Sequence, residues 1–182
     1  MLILIGLRGS GKTTTGRLVA QRLGDPGSFV DLDDLVAEAG AALVGRPTTV
    51  GEVLRTQGEP AFRAVEFATL KLARAHRPRV LSLGGGTPTH APAYTFLQSL
   101  THGAEPSTIV YLRATPSTLA RRLGQTDLSA RPSLTGKGVI EEIDTLFQQR
   151  DEPYINLATR VIDVDFLTPQ QTATLLGAAG NT

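Results

Sequence analysis

Leu2-Ile3-Leu4-Ile5-Gly6-Leu7-Arg8-Gly9-Ser10-Gly11-Lys12-Thr13 is the stretch from which the rest of the chain can be read. An apolar run enters a glycine-rich loop, the loop closes on Lys-Thr, and residues 14–23 leave it with helical character. The spacing is that of the Walker A loop, matched at every required position. Glycines let such a loop curl so that backbone N–H groups face phosphate oxygens with no Cβ in the way. The helix that follows adds the positive end of its dipole. Gly9, Ser10, Gly11, Lys12, Thr13 and Thr14 are therefore the candidate ATP-binding residues. Lys12 is expected to reach the β- and γ-phosphates, and the Thr13 hydroxyl to ligate Mg2+. The competing reading is a glycine-rich turn that merely joins strand to helix.

Outward from this loop, apolar runs bounded by turn residues alternate with helical segments, which predicts parallel strands joined by crossover helices. After the first run come residues 28–31, 79–83, 107–112 and 160–164. The first, third and fourth runs are nearly continuous in apolar residues, as strands covered on both faces should be. Thr115-Pro116, Thr168-Pro169-Gln170-Gln171 and Thr49-Val50-Gly51-Glu52 read as helix starts, the last two as capping boxes. Across residues 59–77, Phe62, Val65, Thr69 and Leu72 recur at helical spacing and are expected to face the core. Residues 177–182 read as a frayed tail.

With 182 residues the chain suits one α/β domain, 1–182, and 41% hydrophobic residues supply a core. No stretch approaches the roughly 20 apolar residues of a membrane span. The absence of cysteine excludes disulfides, thiolate metal sites and cysteine nucleophiles. A net charge of +1 gives no general attraction to nucleic acid or membrane, so an anionic ligand must be held by local groups. The apolar start has no basic flank and runs straight into the glycine loop, so a cytoplasmic location is expected. The partners expected are small molecules, and the chain is taken as a monomer. His76, His90 and His102 lack paired ligand spacing and receive no role.

A Walker A loop fixes the nucleotide and leaves the acceptor open. Asp31-Leu32-Asp33 ends the second strand on the edge where open parallel sheets bind ligands. Alternation along an extended segment would send both carboxylates to one side, for a magnesium-bound water and an acceptor hydroxyl; the bland alternative is helix capping. In Gly58-Glu59-Pro60-Ala61-Phe62-Arg63-Ala64-Val65-Glu66, Arg63 stands braced between Glu59 and Glu66. That suits it to hold a substrate carboxylate, unless it is a solvated surface pair. Gly84-Gly85-Gly86 permits close backbone approach, or is a flexible turn. Arg131 lies in a polar stretch, 124–138, that reads as a lid, and Arg150 near Tyr154 is a second candidate carboxylate ligand. Surface solvation competes for both arginines.

Taken in order, these segments resemble the shikimate kinase family. The likeness rests on the Walker A loop, Asp31-x-Asp33, Gly58-Glu59-x-x-Phe62-Arg63-x-x-Glu66, Ser82-Leu83-Gly84-Gly85-Gly86, Arg131-Pro132 and Arg150-x-x-x-Tyr154. The resemblance implies a three-layer α/β sandwich, a P-loop kinase fold with a lid and a five-stranded parallel sheet of order 2-3-1-4-5. It implies transfer of the ATP γ-phosphate to the 3-hydroxyl of shikimate, in chorismate and aromatic amino acid synthesis. By similarity, Asp33 binds the acceptor hydroxyl, Arg63 and Arg150 hold the carboxylate, Gly85 and Gly86 offer backbone contacts to the substrate, and residues of about 33–66 form the substrate-binding segment. Asp31 helps hold hydrated Mg2+, and Arg131 is the lid arginine near the phosphates.

The chain departs from the family pattern at Gln125-Thr126-Asp127, where an adenine-stacking arginine is usual and Arg122 is the nearest substitute. It departs again at Ser133, in place of leucine, and at Leu54, in place of an aromatic. The rival readings are another small-molecule kinase of the same fold, such as a gluconate kinase, and a non-catalytic ATP-binding regulatory module.

Overall fold

Side chains alternate across a strand, so a strand that is apolar at every position must be covered on both faces. β1 (Leu2–Ile5) meets that condition, with Ile3, Leu4 and Ile5 fully buried. The computed structural model describes residues 1–125 and 138–177. After β1 come α1 (Lys12–Arg22), β2 (Phe29–Asp31), α2 (Leu32–Val44), α3 (Val50–Ala75), β3 (Val80–Ser82) and α4 (Ala91–Ser99). They are followed by β4 (Thr108–Arg113), α5 (Pro116–Leu123), α6 (Ile143–Leu157), β5 (Arg160–Asp163) and α7 (Pro169–Gly177).

The strands form one parallel sheet of order β2-β3-β1-β4-β5. Leu2 stands opposite Val80 on one side and Thr108 on the other, so the Walker A loop leaves the middle of the sheet at its carboxyl edge. On the helical layers, α1 packs against α7, and α4 against α3 and α6. Tyr111 and Tyr154 are the bulkiest side chains sealed in the core.

Helix ends follow local chemistry. Thr168 and Gln171 form a full reciprocal box: the Thr168 N–H donates to Gln171 Oε1 at 2.8 Å, and the Gln171 N–H to Thr168 Oγ1 at 3.2 Å. At α3 only half of the box forms. Thr49 caps the Glu52 N–H, but the Glu52 carboxylate turns to Arg46 and Thr48 instead. The N-cap Thr115 makes no side-chain cap, and its hydroxyl donates to Asp165 at 3.1 Å.

α3 breaks at Gly58, whose φ of 77° and ψ of 163° lie outside helical space. Pro60 then falls in the first turn of the second half, where its missing N–H costs nothing. The expected core stripe of that half needs correction, because Leu72 is 62% exposed. The buried side runs through Phe62, Glu66, Thr69, Leu70 and Ala73. At about 3.6 residues per turn, Leu72 falls well off the line from Phe62 to Ala73. The apolar spacing missed the stripe because one of its central positions is the carboxylate Glu66.

Candidate active site

A cleft of about 490 Å³ opens at the carboxyl edge of the sheet and is lined by Lys12, Thr13, Asp31, Asp33, Arg63 and Arg150, with Gly85 and Gly86. At one end stands the Walker A loop. Gly9 and Gly11 have φ of 85° and 94°, a region that L side chains rarely adopt, and this curls the loop. Gly11 is the N-cap of α1 and carries no capping side chain, so the helix N-terminus is left to a ligand. Ser10 is buried, and its N–H donates to the Leu7 carbonyl at 3.2 Å, so this residue shapes the loop from within. Lys12 Nζ donates to the carbonyls of Gly6 at 2.9 Å and Leu7 at 3.1 Å. Thr14 lies exposed in the first turn.

Thr13 and Asp31 meet directly: the Thr13 hydroxyl donates to Asp31 Oδ2 at 2.7 Å. Asp31 Oδ1 accepts the Asp33 N–H at 3.2 Å, which makes Asp31 the N-cap of α2. The capping reading of this aspartate therefore holds. Asp33 does not reach the cleft by strand alternation. β2 ends at Asp31 and Leu32 already begins the helix, so the helix carries Asp33 into the cleft. Asp31 is almost wholly buried.

The other end of the cleft is built on α3, the glycines after β3, and α6. Arg63 Nη1 donates to Glu66 Oε2 at 2.7 Å, with Glu59 at 3.6 Å from Nε. Glu66 is buried, and its other oxygen accepts from Thr87 Oγ1 at 2.7 Å. Arg63 is thus no solvated surface pair, since its guanidinium is held on a buried carboxylate and lies over the Phe62 ring. Arg150 Nη1 donates to the Gly85 carbonyl at 2.9 Å, and the Tyr154 hydroxyl donates to the same oxygen. Burial pushes the Tyr154 hydroxyl up to about 12, so it stays a donor.

The glycines serve a purpose that the sequence did not reveal. A Cβ on Gly84 would lie 2.6 Å from Asp33 Oδ1, and one on Gly86 would lie 2.5 Å from both terminal nitrogens of Arg63. Backbone closeness here makes room for the protein's own side chains, Asp33 and Arg63. Thr87 was also missed, because its bond to Glu66 spans 21 residues.

Leu54 lines the cleft as expected. Arg122 donates to the carbonyls of Val164 at 2.5 Å and Leu167 at 3.3 Å, which ties α5 to the loop after β5. Arg131, Ser133, Thr126 and Asp127 lie outside the described residues, as does most of the 124–138 stretch read as a lid. Among the described residues, no helix is long and apolar enough to cross a membrane, and no group of three His, Cys, Asp or Glu could cage a metal ion.

The Shikimate kinase family matches residues 8–178 of the chain. "Shikimate kinase 2" of Photorhabdus laumondii is 31% identical over 175 residues, covering 96% of this chain and 91% of that protein. Among solved structures, a shikimate kinase from Bacteroides thetaiotaomicron superposes with a TM-score of 0.80 at 27% identity, covering all of this chain and 98% of that one. A shikimate kinase from Acinetobacter baumannii, solved in complex with shikimate, gives 0.78 at 27% identity, covering 96% of this chain and 89% of that one.

Proposed function

The chain belongs to the shikimate kinase family, a family of phosphotransferases, and from that membership we propose that it moves the γ-phosphate of ATP to the 3-hydroxyl of shikimate. One observation carries the reading. A single cleft holds the Walker A loop at one end and, at the other, a carboxylate with two arginines beside a glycine-lined wall.

Phosphoryl transfer asks a protein for positioning and charge neutralisation more than for covalent chemistry. Arg63 and Arg150 hold the acceptor carboxylate, each already oriented by a partner of its own. Gly85 and Gly86 form the wall between them. Asp33 accepts the hydrogen bond of the acceptor hydroxyl and takes its proton as the oxygen attacks in line. Lys12 exchanges the Gly6 and Leu7 carbonyls for phosphate oxygens, and the N–H groups of Gly9, Gly11, Lys12, Thr13 and Thr14 complete the cradle that Ser10 shapes. Arg131, outside the described residues, is assigned to the transferring phosphoryl group on its place in the sequence and the family membership alone.

Mg2+ fits the oxygens present. Thr13 and the buried Asp31 offer a hydroxyl and a carboxylate 2.7 Å apart, the hard donors this ion takes, and the phosphates and water supply the rest. Thr13 would bind it directly and Asp31 through water. When bound, the ion neutralises charge developing on the phosphate oxygens.

A coupled assay of ADP release tests the assignment with shikimate, with gluconate and with no acceptor. Release that depends on shikimate is expected. Equal release with gluconate, or none with any acceptor, would overturn it in favour of a different acceptor or a regulatory module.

A further inference from the structure

α6 brings Arg150 to the acceptor end of the cleft, while the next residue turns the other way. Asp151 lies against β4, where Oδ1 accepts from the Tyr111 hydroxyl and from Arg113 Nε, both at 2.8 Å. Arg113 Nη2 donates to Asp151 Oδ2 at 2.8 Å, which completes a two-pronged pair. The same guanidinium lies 5.2 Å over the ring of Phe147, itself on α6. Tyr111 meets Tyr154 edge-on at 5.1 Å between ring centres. None of Tyr111, Arg113, Phe147 and Asp151 lines the cleft, so the mechanism above leaves them without a role.

We propose that the Arg113–Asp151 pair, with Tyr111, positions Arg150: it sets the rotation of α6 and so aims the guanidinium at the acceptor carboxylate. The proposal rests on the reading of Arg150 given above. Neighbouring residues on a helix point about 100° apart, so fixing Asp151 on the sheet fixes the direction in which Arg150 leaves the helix. Ile143 and Leu157 hold α6 to the core, but apolar burial has no direction and tolerates a small roll. A forked guanidinium–carboxylate pair does not. A pair kept only for surface charge would leave its carboxylate in water, whereas the Asp151 side chain is 17% exposed and bonded to a third partner. Tyr154, one turn along, holds the Gly85 carbonyl that Arg150 also touches, so both ends of the aim are anchored. Misplacement by about 1 Å at such a contact costs on the order of 100-fold in rate.

The test compares Arg113→Ala, Arg150→Ala and the double variant with wild type, in steady-state kinetics for shikimate and for ATP. Arg113→Ala is expected to raise the shikimate KM about tenfold while the ATP KM stays within about twofold. Because the pair acts through Arg150, adding Arg113→Ala to Arg150→Ala should cost less than about a further twofold. Arg113→Lys, which keeps the charge and loses the fork, should recover part of the shikimate KM. Asp151→Asn replaces Arg113→Ala if the latter does not fold.

Additive losses in the double variant would overturn the proposal, as would a parallel rise in both KM values. So would a lowered melting temperature with an unchanged shikimate KM. If Arg150→Ala itself leaves the shikimate KM unchanged, the acceptor reading fails and takes this proposal with it. If Arg150→Ala raises that KM and Arg113→Ala does not, the positioning role alone fails.

Discussion

Arg63 and Glu66 stand one turn apart on α3 and bond at 2.7 Å, and Glu66 uses its second oxygen to bind Thr87 at 2.7 Å. The arginine is therefore aimed by a carboxylate anchored in turn to the segment after β3. Glu66→Ala would strand a guanidinium with little solvent contact. The expected loss is about 2–3 kcal/mol of stability, below the roughly 3–5 of a wholly buried pair, because Arg63 keeps some access to water. Glu66→Gln should lose less. Denaturant unfolding of both variants beside wild type measures this, and a Glu66→Gln variant as stable as wild type would mean that the charge on Glu66 does not matter.

Gly84→Ala should damage the reaction without touching the nucleotide end. The added methyl would lie 2.6 Å from Asp33 Oδ1, so the carboxylate must swing away. A fall in kcat on the order of tenfold or more is expected, with ATP affinity preserved. Measurement of kcat beside nucleotide binding checks this. Normal turnover would show that Asp33 need not sit where it does.

Lys12→Ala removes the cation of the Walker A loop, together with its bonds to Gly6 and Leu7. Turnover should drop by about 100- to 1,000-fold, the range seen when one charge-stabilising donor is lost. The circular dichroism spectrum should remain that of the wild type. A folded variant with near-normal turnover would remove Lys12 from the chemistry.

Asp151 also leaves a trace in the pH dependence of stability. The Arg113 guanidinium, opposed by burial and helped by the Tyr111 hydroxyl, holds this carboxyl below the usual carboxylate range. A folded-state pKa below the unfolded one gives stability that is present above about pH 4 and lost as pH falls through the depressed value. Asp151→Asn should therefore be clearly less stable than wild type at pH 7, with the gap closing as pH falls through the depressed value. A gap independent of pH would mean that the charge on Asp151 contributes nothing.

Much of this site was legible because its residues are short-range and chemically marked. The Walker A loop, the Arg63–Glu66 spacing and the triple glycine each declare themselves within a few positions. What stayed hidden depended on where the chain bends or returns. The route of Asp33 into the cleft is hidden, since nothing in Asp31-Leu32-Asp33 marks the residue where strand gives way to helix. Leu72 reads as inward because the buried stripe of α3 runs through Glu66, a residue that apolar patterning skips. Arg113 and Asp151 lie 38 positions apart, and only the seating of α6 on β4 brings them together.

The strand order also governs the sequence of events during synthesis. β3 separates β2 from β1, and β1 finds its native partners only at Val80–Ser82 and Thr108–Arg113. A nascent chain that has not yet exposed β3 holds two strands with no native neighbour to pair with. The Walker A loop directly follows β1, yet it has no sheet edge to rest on until β3 (Val80–Ser82) has been made. Long-range parallel pairing of this kind is slow and leaves apolar strands uncovered meanwhile. The segment from β1 to β3 is thus the one most in need of shelter until its partner strands are made.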